Sequence, residues 1–238
     1  MMAVDASSEL GATAWEGKRW ELRSALRAAR RARDTSRRTG RDPVEKLIAA
    51  GQRLALDGDG GFTVKQLADD AGVALQTFYR HFGSKDELVL AVLEENVADG
   101  VRDMESIAAR QPDPVERLRE LIQLPIRMTT EPEASRRLRF HARERQRLAV
   151  KYPNDVEAVF APYRQMIERA IADVERVDGY VAADPSHDAD VIMRVVAVYT
   201  HAMGSGAVSW SVDECAAVLW EFCRAALWRE PTGARRSE

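Results

Sequence analysis

The stretch from Phe62 to Leu88, FTVKQLADDAGVALQTFYRHFGSKDEL, contains two short helical patterns separated by a turn and followed by a third helix start. Thr63 and Gln66 have the spacing of a capping box, in which side chains and backbone bond reciprocally at a helix N-terminus. Gly72 stands at the turn, where glycine accepts a positive φ without steric penalty. The second helix is therefore predicted to begin near Ala74.

This second helix has one apolar side. Phe78 and Phe82 are four positions apart, so both side chains point the same way, toward a core. The polar side chains between them point elsewhere. A short helix, a glycine turn and a second helix with a free polar face predict a helix-turn-helix, whose second helix enters the major groove of DNA.

The pattern T-V-x-x-L-A-x-x-A-G-V-x-x-x-T-F-Y-R-H-F-x-S-K-x-E-L, from Thr63 to Leu88, resembles the DNA-binding signature of the tetracycline-repressor (TetR) family. Small, apolar, aromatic and basic residues all match at fixed offsets. One departure is Ala74, where the family often has a hydroxyl that caps the recognition helix, and its absence weakens the helix start by about 1 kcal/mol. The resemblance implies a ligand-responsive dimeric transcriptional regulator, most often a repressor, that binds a palindromic operator and is released by a small-molecule effector.

Eight residues are candidates for DNA contact by their position in the motif. Gln76 is the best base reader, because its amide can pair with the donor and acceptor of an adenine edge. Leu75 could touch a thymine methyl group, although its spacing from Phe78 equally fits the core. Thr63 could bind a phosphate or serve only as a helix cap. The eight candidates are Thr63, Lys65, Leu75, Gln76, Thr77, Tyr79, His81 and Lys85.

The charge is distributed unevenly along the 238 residues, whose formal net charge is −3. Residues 18–41 contain ten basic and two acidic residues, whereas residues 42–100 contain five basic and eleven acidic ones. We predict that residues 1–41 form a basic arm, flexible or helical, that follows the DNA backbone or enters the adjacent minor groove. The alternative is a charged tail that does not touch DNA.

Every other periodic segment of the sequence is helical, and no strand pattern competes. Start signals such as Asp42-Pro43, Asp113-Pro114 and Ser211 with Glu214 precede helices expected near residues 43–56, 114–129, 132–150, 154–178, 185–204 and 211–229. We predict an all-α protein in which residues 42–88 form the helix-turn-helix DNA-binding domain. Residues 89–238 are predicted to form a helical bundle for effector binding and dimerisation.

The last two predicted helices carry broad apolar stripes, wide enough to pack against their own domain and against a second copy of the chain. The TetR resemblance implies that this pair and its symmetry mate form a four-helix dimer interface. The alternative is an ordinary buried hairpin in a monomer. The candidate interface residues are Val195, Tyr199, Leu219, Phe222 and Ala226.

Residues 136–151, RRLRFHARERQRLAVK, contain seven basic residues and one glutamate. One interpretation is recognition of an amphipathic anion such as an acyl-coenzyme A, with its phosphates on arginines and its chain in an apolar pocket. The other is a solvated helix face or pairing with acidic neighbours. The candidate pocket residues, which also fit a plain core, are Phe140, Phe160, Tyr163, Met166 and Met203.

No pattern in the sequence favours catalysis. It contains no nucleophile elbow, phosphate loop or dinucleotide fingerprint. His141 and Glu144 have the spacing of metal ligands but lack further histidines or cysteines, and His201 is expected to lie in the core. We therefore expect no enzymatic activity, no metal and no cofactor. The alternatives are a dimeric DNA-binding protein without an effector and, less well supported, an all-helical enzyme or carrier.

Three features favour cytoplasmic residence. The N-terminal MMAVDASSEL lacks the basic and apolar regions of a secretory signal. The most apolar run, residues 191–203, is too short to span a bilayer. Cys215 and Cys223 are eight positions apart on one predicted helix, too distant for a disulfide within it, and are expected to be buried thiols.

Overall fold

A computed structural model describes residues 42–56, 61–178 and 184–228, and within these ranges every regular element is helical. The predicted all-α class is confirmed, whereas the predicted basic arm lies outside the described residues. A 3₁₀ turn, Met128–Thr130, joins the fifth and sixth α-helices. The α-helices are α1 (Pro43–Leu56), α2 (Val64–Ala71), α3 (Leu75–His81), α4 (Lys85–Ala108), α5 (Pro114–Arg127), α6 (Pro132–Ala149), α7 (Pro153–Asp178), α8 (Pro185–Gly204) and α9 (Val212–Leu227).

The helix-turn-helix forms as its sequence predicts. The Thr63 hydroxyl accepts a hydrogen bond from the Gln66 backbone N–H at 3.1 Å, and the Gln66 carboxamide oxygen accepts one from the Thr63 backbone N–H at 2.8 Å. Gly72 ends α2 with a φ of 62°, the left-handed conformation expected of a glycine cap. Ala74 precedes α3 as its N-cap residue and makes no side-chain cap hydrogen bond.

The core of the DNA-binding domain lies beneath α3. Phe78 and Phe82 are fully buried, with their rings stacked at a centroid distance of 5.6 Å. Leu47 from α1 and Leu67 from α2 pack in the same core. This packing turns the opposite side of α3 outward.

α4 connects the two halves of the protein. Its buried residues run from Leu88 to Ala108 and join one hydrophobic cluster that extends from α1 to α9. α1 packs against α4 and also against α6, so the C-terminal helices rest directly on the DNA-binding domain. A movement of α4 or α6 would therefore reach the helix-turn-helix.

The C-terminal helices form a bundle in which α4 packs on α7, α7 on α8, and α5 on α9. Cys215 and Cys223 are buried, unpaired thiols on α9, as expected, and burial raises the pKa of Cys223 to about 11. No helix in the described ranges is long and apolar enough to cross a membrane.

Candidate nucleic-acid interface and ligand cavity

The outward side of α3 carries the predicted groove-reading residues. Leu75 and Tyr79 are 44% and 57% exposed, and Gln76 is also exposed, whereas Thr77 is half-buried. The core interpretation of Leu75 is therefore wrong, because its side chain is exposed whereas Phe78 and Phe82 are fully buried. The exposed Leu75, Gln76 and Tyr79 side chains form a surface that a base edge could approach.

The remaining four candidates surround this surface. Thr63 and Lys65 are exposed at the start of α2, and the Thr63 hydroxyl serves as a helix cap. Lys85 holds its ammonium group 4.4 Å from the centroid of the Phe62 ring, and burial lowers its pKa. His81 is half-buried, and its Nε2 atom has no hydrogen-bond partner among the described residues. All eight candidates are thus grouped on and beside α3.

A cavity of about 130 Å³ lies among α4, α5, α6, α7 and α8. Phe160 and Tyr163 line it, as predicted. Phe140 and Met166 do not, because both are buried in the core. Met203 packs half-buried against that core, also away from the cavity wall. Two of the five predicted pocket residues therefore meet at one site.

Most of the cavity wall is apolar, but it includes a few polar groups. His141 is fully buried, and burial together with the nearby Arg137 guanidinium lowers its pKa to about 4, so the imidazole is neutral at pH 7. Burial raises the pKa of the Tyr163 hydroxyl to about 12. Thr200 lies on the α8 wall, and its hydroxyl has no hydrogen-bond partner within the described ranges.

Of this polar set, only Tyr163 was among the pocket residues predicted from the sequence. Arg137, His141 and Arg145 follow one another at four-residue intervals on α6, and all three line the cavity. The interval was visible in the basic segment 136–151, but a solvated helix face has the same spacing. His201, expected in the core, is instead exposed at the cavity edge.

A second face of α6 meets the DNA-binding domain through an ionic network. The buried Glu144 carboxylate accepts hydrogen bonds from Arg143 at 3.0 Å and Arg147 at 2.7 Å. Arg147 also donates to Asp86 in the first turn of α4 at 2.7 Å. The network joins the cavity-lining helix to the segment that follows α3, and its long-range partners were not evident in the sequence.

α8 and α9 expose apolar side chains on one side of the bundle. Val191 and Val198 on α8 and Val218 on α9 are exposed, and Phe222 is 57% exposed. Of the predicted interface residues, Val195, Tyr199 and Ala226 are half-buried, whereas Leu219 is 1% exposed. The Leu219 prediction requires correction, since this side chain packs within its own domain and has almost no surface left for a partner.

No group of three or more His, Cys, Asp or Glu side chains in the described part of the chain is arranged to hold a metal ion. The exposed face of α3 and the cavity in the bundle are the arrangement expected of a ligand-responsive helix-turn-helix protein.

Residues 47–92 match the family model described as bacterial regulatory proteins, tetR family. The protein is a transcriptional regulator with the DNA-binding domain of the TetR family. A search of curated protein sequences found no match.

Solved structures share the fold of most of the chain. The fatty acid degradation regulator FadR from Bacillus halodurans is 16% identical with a TM-score of 0.61, and the match covers 81% of this chain and 100% of that one. FadR from Thermus thermophilus, solved in complex with lauroyl-CoA, is 17% identical with a TM-score of 0.61 over 80% of this chain and 98% of its own. A putative TetR-family regulator from Rhodococcus sp. is 19% identical with a TM-score of 0.61, covering 78% and 98%.

Proposed function

We propose that this protein is a cytoplasmic, homodimeric repressor that binds a palindromic DNA operator and releases it when a small molecule enters the cavity. The observation that carries the proposal is the outward face of α3, where Gln76 and its exposed neighbours stand above a buried Phe78 and Phe82. Gln76 reads a base, and Leu75 or Thr77 contacts a thymine methyl group. Thr63, Lys65, Tyr79, His81 and Lys85 contact the backbone or the groove edge.

Neutralising the DNA phosphates requires basic side chains, and the helix-turn-helix itself has fewer basic than acidic residues. Five basic and eleven acidic residues occupy positions 42–100, whereas residues 18–41 contain ten basic and two acidic ones. The segment 1–41 therefore serves as a basic arm on the DNA, and its contribution depends strongly on salt concentration.

The dimer forms through α8 and α9. Their exposed apolar side chains lie on neighbouring helices, and Val198 and Phe222 are the most exposed. An apolar patch of this kind is typically buried against a partner protein. A two-fold axis at this face places two α3 helices on one side of the dimer. Binding to successive major grooves then requires a separation of about 34–36 Å between them.

The effector is a small apolar or amphipathic molecule. An acyl-coenzyme A is the first candidate to test, since the Thermus thermophilus FadR of similar fold was solved with lauroyl-CoA. The basic segment of α6 supports free phosphate binding less well, because Arg137 pairs with Glu133, and Arg143 and Arg147 pair with Glu144. The cavity favours an effector-responsive regulator, because the core of an effector-independent regulator would be filled.

Coupling between the sites follows from α6. One face of this helix lines the cavity through His141, and another contacts α4 through Arg147 and Asp86. A ligand that shifts α6 therefore moves the base of the helix-turn-helix and changes the distance between the two α3 helices. Effector and DNA then oppose one another by a reciprocal coupling free energy.

The decisive experiment selects bound sequences from random DNA with the full-length protein and then measures release by a metabolite panel that includes lauroyl-CoA. We expect an enriched palindrome, a dimer in analytical ultracentrifugation, and at least one compound that both raises the melting temperature and weakens DNA binding. A monomer with no sequence preference at physiological salt would refute the proposal. DNA binding that no ligand alters would support an effector-independent regulator instead.

A further inference from the structure

Two residues that line the cavity each carry a buried polar atom without a hydrogen bond. These are the Nε2 atom of His141 on α6 and the hydroxyl oxygen of Thr200 on α8, and both are unpaired within the described residues. Buried polar atoms are nearly always paired in folded proteins, and an exception requires a specific reason. Since both atoms belong to residues of one mostly apolar cavity wall, the reason that fits them together is a bound polar group.

The packing of α6 on α8 brings the two atoms to the same region. Arg139 on α6 lies against Gly204 on α8, and one and a half turns further along α6 the pKa of Arg145 responds to Asp190 and Arg194. The two helices therefore run past one another in opposite directions. His141 and Thr200 fall between these two points of contact, on facing walls.

Two of the side chains that line the cavity with these atoms, Arg137 and Arg145, are cationic. Arg137 is close enough to lower the pKa of both His141 and Tyr163. Arg145 lies with its guanidinium carbon 4.9 Å from the centroid of the Phe160 ring and forms no ion pair in the described part of the chain. None of the described residues that line the cavity is acidic. An anionic oxygen group is therefore the polar group that this wall stabilises best.

We infer that the cavity binds the carboxylate of a small, otherwise apolar molecule, whose oxygens accept hydrogen bonds from His141 and Thr200. The neutral imidazole has one N–H, and the tautomer that carries it on Nε2 donates to the ligand. The apolar part of the ligand contacts Phe160 and Ile167. The inference rests on the proposed effector-responsive function and specifies the effector's chemical class.

The size of the cavity limits the apolar part of the ligand. A volume of about 130 Å³ is similar to that of an engineered apolar cavity of about 150 Å³ that binds benzene in another protein. One aromatic ring or a short branched chain fits this space. A carboxylate on such a group reaches the α6 and α8 walls, whereas a long acyl chain with its thioester would need the helices to separate.

The test compares three aromatic carboxylates with their amides, which have the same shape and no charge. Benzoate, phenylacetate and 3-phenylpropanoate are titrated into the full-length protein by calorimetry, beside benzamide, phenylacetamide and 3-phenylpropanamide. We expect at least one carboxylate to bind roughly tenfold or more tightly than its amide, because hydrogen bonds to a charged group are about twice as strong as neutral ones.

Two variants identify the residues that hold the carboxylate. Thr200→Val, which keeps the side-chain shape, and His141→Phe are each expected to weaken carboxylate binding roughly tenfold to a hundredfold. Ligand-free Thr200→Val should melt at the same temperature as the wild type or higher, because it removes an unpaired buried hydroxyl. A purely structural threonine would give a lower melting temperature. Thr130→Val, at an exposed position outside the cavity lining, is the matched control and should leave carboxylate affinity unchanged.

Three results would overturn the inference: no carboxylate binds, an amide binds as tightly as its carboxylate, or Thr200→Val leaves carboxylate affinity unchanged. Each is distinguishable from failure of the proposed function. A selected palindrome released by lauroyl-CoA or a neutral compound alone would retain the repressor and remove the carboxylate site. Carboxylate binding by a protein without any DNA sequence preference would retain the carboxylate site and remove the repressor.

Discussion

The Arg147 guanidinium on α6 donates a hydrogen bond of 2.7 Å to the Asp86 carboxylate in the first turn of α4. The two residues are 61 positions apart in the chain. Arg147 also holds the buried Glu144, whose helix lines the cavity on another face. This contact is therefore a polar connection between the helix that lines the ligand cavity and the segment that follows α3.

Removing this contact should affect coupling more than stability. Arg147 and Asp86 have side chains 44% and 22% exposed, so we expect Arg147→Gln to change the free energy of unfolding by about 1 kcal/mol or less. The ratio of DNA affinities with and without the effector should fall several-fold, since this ratio measures the coupling free energy. The readouts are urea unfolding and fluorescence anisotropy with labelled operator.

Glu116→Gln is the matched control for this coupling, because Glu116 pairs with Arg119 within α5 and does not reach the DNA-binding domain. It should leave the affinity ratio unchanged. An unchanged ratio in Arg147→Gln as well would show that α6 transmits the ligand signal through apolar packing alone.

The base-reading role of Gln76 can be separated from backbone contact. Gln76→Ala should lose about 1–3 kcal/mol on the best site and relax the preference at one base position. Lys65→Ala, by contrast, should weaken binding on all sequences and reduce the salt dependence. Selection from random DNA followed by affinity measurement on single-base variants distinguishes the two. Equal loss on every sequence for Gln76→Ala would assign this residue to the backbone.

The local parts of the fold were predictable from the sequence, because a cap or a turn depends on a few neighbouring residues. Three helix ends predicted from the sequence lie where the structure has them. They are marked by Thr63 with Gln66, by Gly72, and by Ser211 with Glu214. The cavity was not predictable in the same way. Its polar residues lie on facing helices, and the spacing of Arg137, His141 and Arg145 alone cannot tell a cavity wall from a solvated face.

The α9 helix illustrates the same limit. Leu219 and Phe222 are three positions apart and both belong to the apolar stripe, yet one is buried in the bundle and the other is exposed. Periodicity identifies a helix that is apolar on most faces. It does not show which face the rest of the chain covers, because that depends on the packing of α5 and α8 against it.

Phe222 provides a test of the dimer. Its side chain is 57% exposed on the α8 and α9 face, and Phe222→Asp would place an unpaired carboxylate in the interface. We expect this change to weaken dimerisation by about 3 kcal/mol or more, measured by sedimentation equilibrium. Val150→Asp, at an 89% exposed position at the end of α6, is the control and should remain dimeric. A dimeric Phe222→Asp protein would place the interface elsewhere.

Gly100 on α4 leaves room for the Tyr163 hydroxyl at the cavity wall. A Cβ atom at position 100 would overlap that hydroxyl and lie 3.3 Å from the Cζ atom of the same ring. Gly100→Ala should therefore displace Tyr163 and destabilise the fold by about 1–3 kcal/mol, as measured by urea unfolding. Tyr163→Phe in the Gly100→Ala background should recover part of this loss. If the double variant is no more stable than Gly100→Ala, the overlap with the hydroxyl is not the cause.

His141 should make the stability of the protein depend on pH. Burial, with a smaller contribution from the Arg137 guanidinium, lowers its pKa from 6.5 to about 4. Between these two values the unfolded chain binds a proton that the folded chain does not, so stability falls as the pH falls through this window. The decrease in the free energy of unfolding that His141 causes approaches about 3 kcal/mol near pH 4, and this group causes no further decrease below that pH.

The measurement that checks this dependence is urea unfolding at intervals from pH 7.5 to 4, for the wild type and for His141→Phe. The variant lacks the titrating imidazole, so its stability should fall less steeply with decreasing pH. Thr130→Val is the control, because it removes no titrating group and lies outside the cavity lining, and its curve should parallel that of the wild type. Parallel curves for wild type and His141→Phe would mean that His141 titrates in the folded protein as it does in the unfolded chain.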